Sequence, residues 1–267
     1  MMRMTEISSE AALPSKVPEI TVYFWIIKIL ATTVGETAAD LLAVRLGLGL
    51  TMTSWILTGV FVAVLAVQLR IARYIPAPYW ITVVLISVVG TLISDNLVDG
   101  LGISLVTTSA AFAIILALVF MAWARSEGTL SIHSIVTRKR ELFYWLAILF
   151  TFALGTSAGD LVAERLDLGY GVAALAFAGA IALVFMAYRL SLAGPIASFW
   201  IAYILTRPLG ASIGDFLAKP QIAGGLGWGT VNTSLVFVAA ILALVAFLTK
   251  SGADRIALAP AEVRAER

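Results

Sequence analysis

Apolar residues gather in eight runs, at roughly 22–45, 51–70, 79–99, 103–124, 142–165, 170–189, 197–218 and 230–249, separated by short polar connections. Each run reaches about 20 residues, the length at which an α-helix crosses the hydrocarbon core of a bilayer. None alternates polar and apolar positions as the strands of a transmembrane barrel would. The pattern predicts an all-α integral membrane protein with eight transmembrane helices. Composition agrees: of 267 residues 61% are apolar and 13% charged, against about 25% charged in a soluble domain. Function is therefore expected in the membrane part, since the loops leave no room for a separate soluble domain.

Orientation follows from the basic residues. An even number of spans puts both ends on one side, and thirteen lysines and arginines fall in the tails and loops of that side, against Arg45, Arg165 and Lys219 opposite. The positive-inside rule places both termini in the cytoplasm. The expected organisation is a cytoplasmic tail at 1–21, a first half at 22–124, a basic loop at 125–141, a second half at 142–249 and a cytoplasmic tail at 250–267. The start of the chain lacks the apolar core of a signal peptide and reads as an exposed tail. A net charge of only +2 gives no reason to expect a nucleic-acid partner, and the absence of cysteine removes disulfides, thiolate metal sites and cysteine nucleophiles.

The chain repeats itself four times. Trp25, Trp80, Trp145 and Trp200 each stand ten residues before a glycine (Gly35, Gly90, Gly155, Gly210) and fifteen before an aspartate (Asp40, Asp95, Asp160, Asp215). Each repeat holds two spans, so all four copies cross in the same sense, as parallel helical hairpins grouped in two halves of two. A small residue follows each glycine by four positions (Ala39, Ser94, Gly159, Gly214), a spacing that lets helix backbones approach closely in lipid. Spans 1, 3, 5 and 7 are thus expected to form an inner bundle, and the uncharged spans 2, 4, 6 and 8 to face lipid. The tryptophans are expected at the membrane interface, which would set each aspartate roughly 22 Å further along its helix. Lys28 is expected to snorkel toward that interface, and His133, alone in a basic loop, is given no role.

Steps of four residues keep to one helix face, and on that face the acids line up: Thr32, Glu36 and Asp40; Ser87, Thr91, Asp95 and Asp99; Thr156, Asp160 and Glu164; Arg207, Asp215 and Lys219. A carboxylate in mid-membrane costs roughly 2.5–3.5 kcal/mol on the lenient insertion scale and is functional by default. The candidate cation ligands are therefore Asp40, Asp95, Asp160, Asp215, Glu36, Thr91 and Thr156. Thr-Ser pairs at 53–54, 108–109 and 233–234 and the amides of Asn96 and Asn232 add oxygen donors. Such a donor set suits a hard or borderline divalent cation such as Mn²⁺ or Mg²⁺, and crowded carboxylates can also share protons. Arg207, next to Pro208, reads either as a tethered, charge-balancing cation or as half of an ion pair in a bent helix.

The four-copy pattern, with "GETAAD", "GTLISD", "GTSAGD" and "GASIGD" after the tryptophans, resembles a bacterial family of repeated-hairpin membrane proteins of unknown function, over about residues 22–249. The resemblance implies an inner-membrane protein and supplies no chemistry. "SAGD" and "SIGD" lack the earlier glycine of intramembrane aspartyl proteases, so no enzymatic activity and no cofactor are expected. The expected function is transport of a divalent cation, Mn²⁺ first, in its simplest version by exchange for protons, with the lipid bilayer, the ion and protons as partners; a homo-oligomer is compatible with the pattern. A channel with a carboxylate selectivity ring and a non-transporting scaffold are the alternatives.

Overall fold

The computed structural model describes residues 14–255, and among them there are eight long helices and no strand. They are α1 (Val22–Asp40), α2 (Leu50–Arg70), α3 (Pro76–Asp95), α4 (Leu105–Glu127), α5 (Arg138–Asp160), α6 (Gly169–Arg189), α7 (Pro195–Ala218) and α8 (Thr230–Ser251). Seven are long and apolar enough to cross a membrane. The exception, α1, carries Lys28, Glu36 and Asp40 within 19 residues. The protein is an all-helical, multi-pass membrane protein of four repeats.

Helices α1, α3, α5 and α7 form a closed ring, each packed on the next and α7 on α1. The repeated glycines set that closeness. A β-carbon at Gly35 would overlap Ser87 of α3, one at Gly90 would come 2.7 Å from the β-carbon of Phe152 on α5, one at Gly155 would overlap Arg207 of α7, and one at Gly210 would overlap Thr32 of α1. Each glycine thus receives the residue three positions before the next repeat's glycine, and the fourth returns to the first. Without a hydrophobic driving force between helices in lipid, such backbone approach is what holds a bundle together.

The outer helices follow the same rotation. Each packs chiefly on the inner helix of the following repeat: α2 on α3, α4 on α5, α6 on α7, and α8 back on α1. More than half of α3, α5 and α7 is buried, against 28% or less of α2, α4, α6 and α8, whose outward faces carry Trp55, Ile114, Leu175 and Leu242. The serines of two of the three Thr-Ser pairs serve this packing. Asn96 donates to Ser54 Oγ at 2.7 Å and Ser234 donates to Thr37 Oγ1 at 2.7 Å, each clasping an outer helix to the next inner one.

Three inner helices end alike. Directly after Asp40, Asp95 and Asp160 the chain widens into five π-helical residues, Leu41–Arg45, Asn96–Gly100 and Leu161–Arg165. The fourth stops at Ala218, where Pro220 offers no amide to continue, and passes into a longer loop.

The face that carries both described chain ends, called here the terminal face, is more ordered than the sequence suggests. Residues 14–21 are no exposed tail: Lys16 and Val17 are buried. The Lys16 amide donates to Ile135 O, Tyr74 N to Ser15 O and Glu19 N to Asp254 O, so the segment ties two loops and the end of α8 together. Lys16 forms a buried ion pair with Glu141, whose other oxygen accepts from Gln68 Nε2 at 3.2 Å. The expected tail at 1–21 lies outside the described residues up to position 13, as does the tail at 250–267 from 256 onward. The basic loop shortens to 128–137, because Arg125 belongs to α4 and Arg138, Lys139 and Arg140 to α5.

Candidate functional site

The face of each inner helix that lines the ring axis repeats every four residues, and the repeats stack on it in tiers. From the terminal face outward these are Phe24, Tyr79, Tyr144 and Phe199; then Lys28, Val83, Ile148 and Tyr203; then Thr32, Ser87, Phe152 and Arg207; then Glu36, Thr91, Thr156 and Ala211; and finally the four aspartates. The first and last tiers are sixteen residues apart, about 24 Å along a helix.

Three of the four repeat tryptophans do not anchor at the lipid interface, while Trp25 is half-buried. Trp80, Trp145 and Trp200 are 4% exposed or less, and with Phe24, Tyr79, Tyr144, Phe199 and Tyr203 they make a continuous aromatic layer of edge-on and tilted contacts. The signal was the residue before each tryptophan, always Phe or Tyr, which faces the axis and recruits its neighbour inward. Lys28 does not snorkel either. It is fully buried and donates to Tyr203 O at 2.9 Å and to Thr206 Oγ1, with the Tyr203 ring centre 3.9 Å away and that of Phe152 at 5.2 Å. The packing supplies the reason: the Lys28 side of α1 faces α7 and α5, so the stem points into the bundle, while Val22 and Ile26 take the exposed side of the helix.

At the centre of the bundle stands Arg207, fully buried. Its Nη2 donates to Glu36 Oε2 at 3.0 Å, to Thr156 Oγ1 at 2.7 Å and to Thr91 Oγ1, and its Nη1 to Thr32 O at 3.3 Å. Glu36, Thr91 and Thr156 are equivalent positions of the first three repeats. The fourth equivalent is Ala211, one turn beyond Arg207 on its own helix, and is small enough to leave the guanidinium its room. Glu36, Thr91 and Thr156, expected as ligands of a free cation, therefore converge on a cation the chain itself provides. Pro208 fits the same notch, its Cα 3.5 Å from a β-carbon placed on Gly159.

One turn outward, the aspartates are not equivalent. Asp215 is buried and 3.6 Å from Lys219, which also reaches Glu164 at 3.5 Å and donates to Tyr170 at 3.0 Å. Asp40, Asp95 and Asp160 are half-buried and, among the described residues, make no ion pair and no side-chain hydrogen bond. They do not form a ready cage either: no three acidic or histidine side chains among the described residues are grouped to hold a metal ion. Each sits where an α-helix passes into π-helical turns, a transition that frequently marks functional positions.

No curated protein and no solved structure matches this chain. A family model does, four times, over residues 23–74, 78–129, 143–192 and 198–254, each match spanning one inner helix and the outer helix that follows it. With most of its length accounted for by these four copies, the chain belongs to the DUF347 family, described as a repeat of unknown function.

Proposed function

We propose that the protein is a membrane transporter that takes a cation into its carboxylate stripe, with Arg207 as a built-in counter-ion. The observation that carries this reading is the imbalance around Arg207. Seven carboxylates, Glu36, Asp40, Asp95, Asp99, Asp160, Glu164 and Asp215, lie on the axial stripes, while Arg207 and Lys219 are the cations in ionic contact with them. The half-buried Asp40, Asp95 and Asp160 gain nothing from those pairs, and each costs roughly 2.5–3.5 kcal/mol at membrane depth unless a proton or a mobile cation joins it. A structural stripe would not need three unpartnered carboxylates at one height.

Oxygen donors without imidazole or thiol favour a hard divalent cation, Mn²⁺ or Mg²⁺. Such ions keep part of their water and bind through one or two carboxylates, so they do not need a ready cage of three. Exchange for protons at the same aspartates would drive the cycle, since the chain has no nucleotide-binding loop. The excess of basic residues on the terminal face supports an inner membrane with both ends in the cytoplasm. Arg207, filling the axis, speaks for a carrier over an open channel.

Mn²⁺ entry into liposomes holding the purified protein and an internal metal-sensitive dye tests the reading. Saturable flux that increases with an opposing proton gradient, and falls at least tenfold in Asp95→Asn and Asp160→Asn, is expected. Unsaturated, voltage-driven flux would make the protein a channel, and no flux of Mn²⁺, Mg²⁺ or Ca²⁺ would leave a scaffold.

A further inference from the structure

We propose that the inner half of the bundle is a proton path, running from Asp254 at the terminal face through a column of tyrosine hydroxyls to Lys28, which carries the proton across the aromatic layer. The inference deepens the transport reading, because these protons are the ones the carboxylate stripe would exchange, but it stands on separate residues.

Polar groups form a file through a layer that is otherwise wholly aromatic. Tyr74, in the loop before α3, donates to Asp254 Oδ2. Its ring packs edge-on against Tyr79, centres 5.5 Å apart. The hydroxyls of Tyr79 and Tyr144 are hydrogen-bonded to each other, and Tyr144 and Tyr203 both pack on the Trp200 ring. Tyr79, Tyr144 and Tyr203 are 1% exposed or less. Phenylalanine would pack as well at Tyr79 and Tyr144, since Phe24 and Phe199 occupy the equivalent positions of the other two repeats, so those hydroxyls need another reason to be there. A buried hydroxyl in an aromatic layer is a cost unless it is bonded.

Lys28 ends the file. Among the described residues it has no carboxylate partner: Glu36, on its own helix, is taken by Arg207. What faces Lys28 is Tyr203, Thr206 and Arg207 from α7 and Phe152 from α5. Two oxygen acceptors and two ring faces hold an ammonium, and the same two acceptors satisfy a neutral amine, so both protonation states fit one geometry. Lysine exchanges its proton where arginine keeps it, and this distinguishes Lys28 from Arg207 one tier away. Beyond Lys28, Ser87 Oγ, Thr151 Oγ1 and Arg207 Nε are buried without partners, the polar atoms that internal water needs.

The step balances without any co-reactant. Within the bonded pairs Asp254–Tyr74 and Tyr79–Tyr144 each hydroxyl accepts one proton and releases its own. Where rings rather than hydroxyls meet, between Tyr74 and Tyr79 and from Tyr203 to Lys28, an internal water relays the proton, leaving the lysine amine as ammonium. The ammonium gives that proton to water in the next tier and returns to the amine. At the entrance, burial raises the Asp254 carboxyl above the usual carboxylate range and, with Asp254 beside it, raises the Tyr74 hydroxyl as well.

The test uses no metal. Liposomes containing the full chain and a trapped pH dye are given a potassium diffusion potential with valinomycin, and the proton flux is read directly. Flux above that of protein-free liposomes is expected for the wild type, at least tenfold less for Lys28→Met and for Lys28→Arg, and a clear loss for Tyr144→Phe, which keeps the ring. Should Lys28→Met fail to fold, Tyr79→Phe and Tyr144→Phe carry the test. Wild-type flux no greater than the protein-free leak, or unchanged flux in all folded variants, overturns the path. Mn²⁺ exchange at equal pH on both sides, measured alongside, reports on the transport reading independently.

Discussion

The Arg207 guanidinium and the Glu36 carboxylate meet at 3.0 Å across the α7–α1 contact, although 171 positions separate them in the chain. The pair closes the ring of inner helices at its centre, where the last repeat returns to the first. Removing one partner of a buried ion pair leaves the other charge unanswered and typically costs about 3–5 kcal/mol. Arg207→Met is expected to destabilise the protein by about that much, Glu36→Gln by less, and the double variant by less than the sum. Thermal unfolding in detergent, arranged as a double-mutant cycle, measures the coupling.

Gly155 is where Arg207 leaves its helix. A methyl group there would overlap the Arg207 side chain at its root and come 3.0 Å from Pro208 Cδ, with no flexible end to swing away. Gly155→Ala should lose about 1–3 kcal/mol, the usual cost of overpacking. Gly59 and Gly179 lie on outer helices with nothing within 4 Å of an added β-carbon, so alanine there should be neutral or should gain up to about 1 kcal/mol of helix propensity. The same unfolding assay separates the two classes.

On the terminal face, Lys16 and Glu141 form a pair whose side chains are 4% and 0% exposed. Lys16→Met leaves Glu141 with Gln68 and Trp145 as its remaining donors and should destabilise the chain by about 3–5 kcal/mol. Protease cleavage near residues 14–21 should become faster in that variant, which limited proteolysis in detergent can follow.

Asp254 gives a pH signature of known sign. Its carboxyl is raised in the fold by burial, with the Tyr74 hydroxyl bond opposing, so the folded state favours its protonated form. That contribution is fully present below the unfolded carboxylate value, about 3.9, and is lost as pH rises through the higher folded value. Asp254→Asn cannot ionise and should flatten this part of the curve. The difference in unfolding temperature between the two proteins, followed from pH 4 to 8, is expected to shift in favour of the variant as pH rises.

Much of the architecture was legible in the sequence because it rests on translation-invariant features. Eight apolar runs fixed the helices, and equal Trp-Gly-Asp spacing fixed both the repeat and which helices meet. What escaped notice depended on three-dimensional closure. Lys28 and the tryptophans read as interfacial because each is amphipathic in isolation; only the ring of inner helices encloses Lys28, Trp80, Trp145 and Trp200. Arg207 was legible as an exception to the repeat, but its three side-chain partners come from the other three repeats, 51, 116 and 171 positions away. Ser54 and Ser234 of the Thr-Ser pairs clasp neighbouring helices, since a hydroxyl buried in lipid meets the nearest helix first. The segment around Lys16 carries no periodicity, and its burial comes from partners at 68, 135 and 141.

The central claim, that the acidic stripe above Arg207 takes up a divalent cation, is tested most directly by titrating purified protein with Mn²⁺ and reading free ion by electron paramagnetic resonance. The account predicts saturable loss of the free-ion signal, competed by Mg²⁺ and by protons, and weakened at least tenfold when Asp95 and Asp160 are both changed to asparagine in a variant that still unfolds cooperatively. Binding that is absent in the wild type, or equally strong in the double variant, would contradict it.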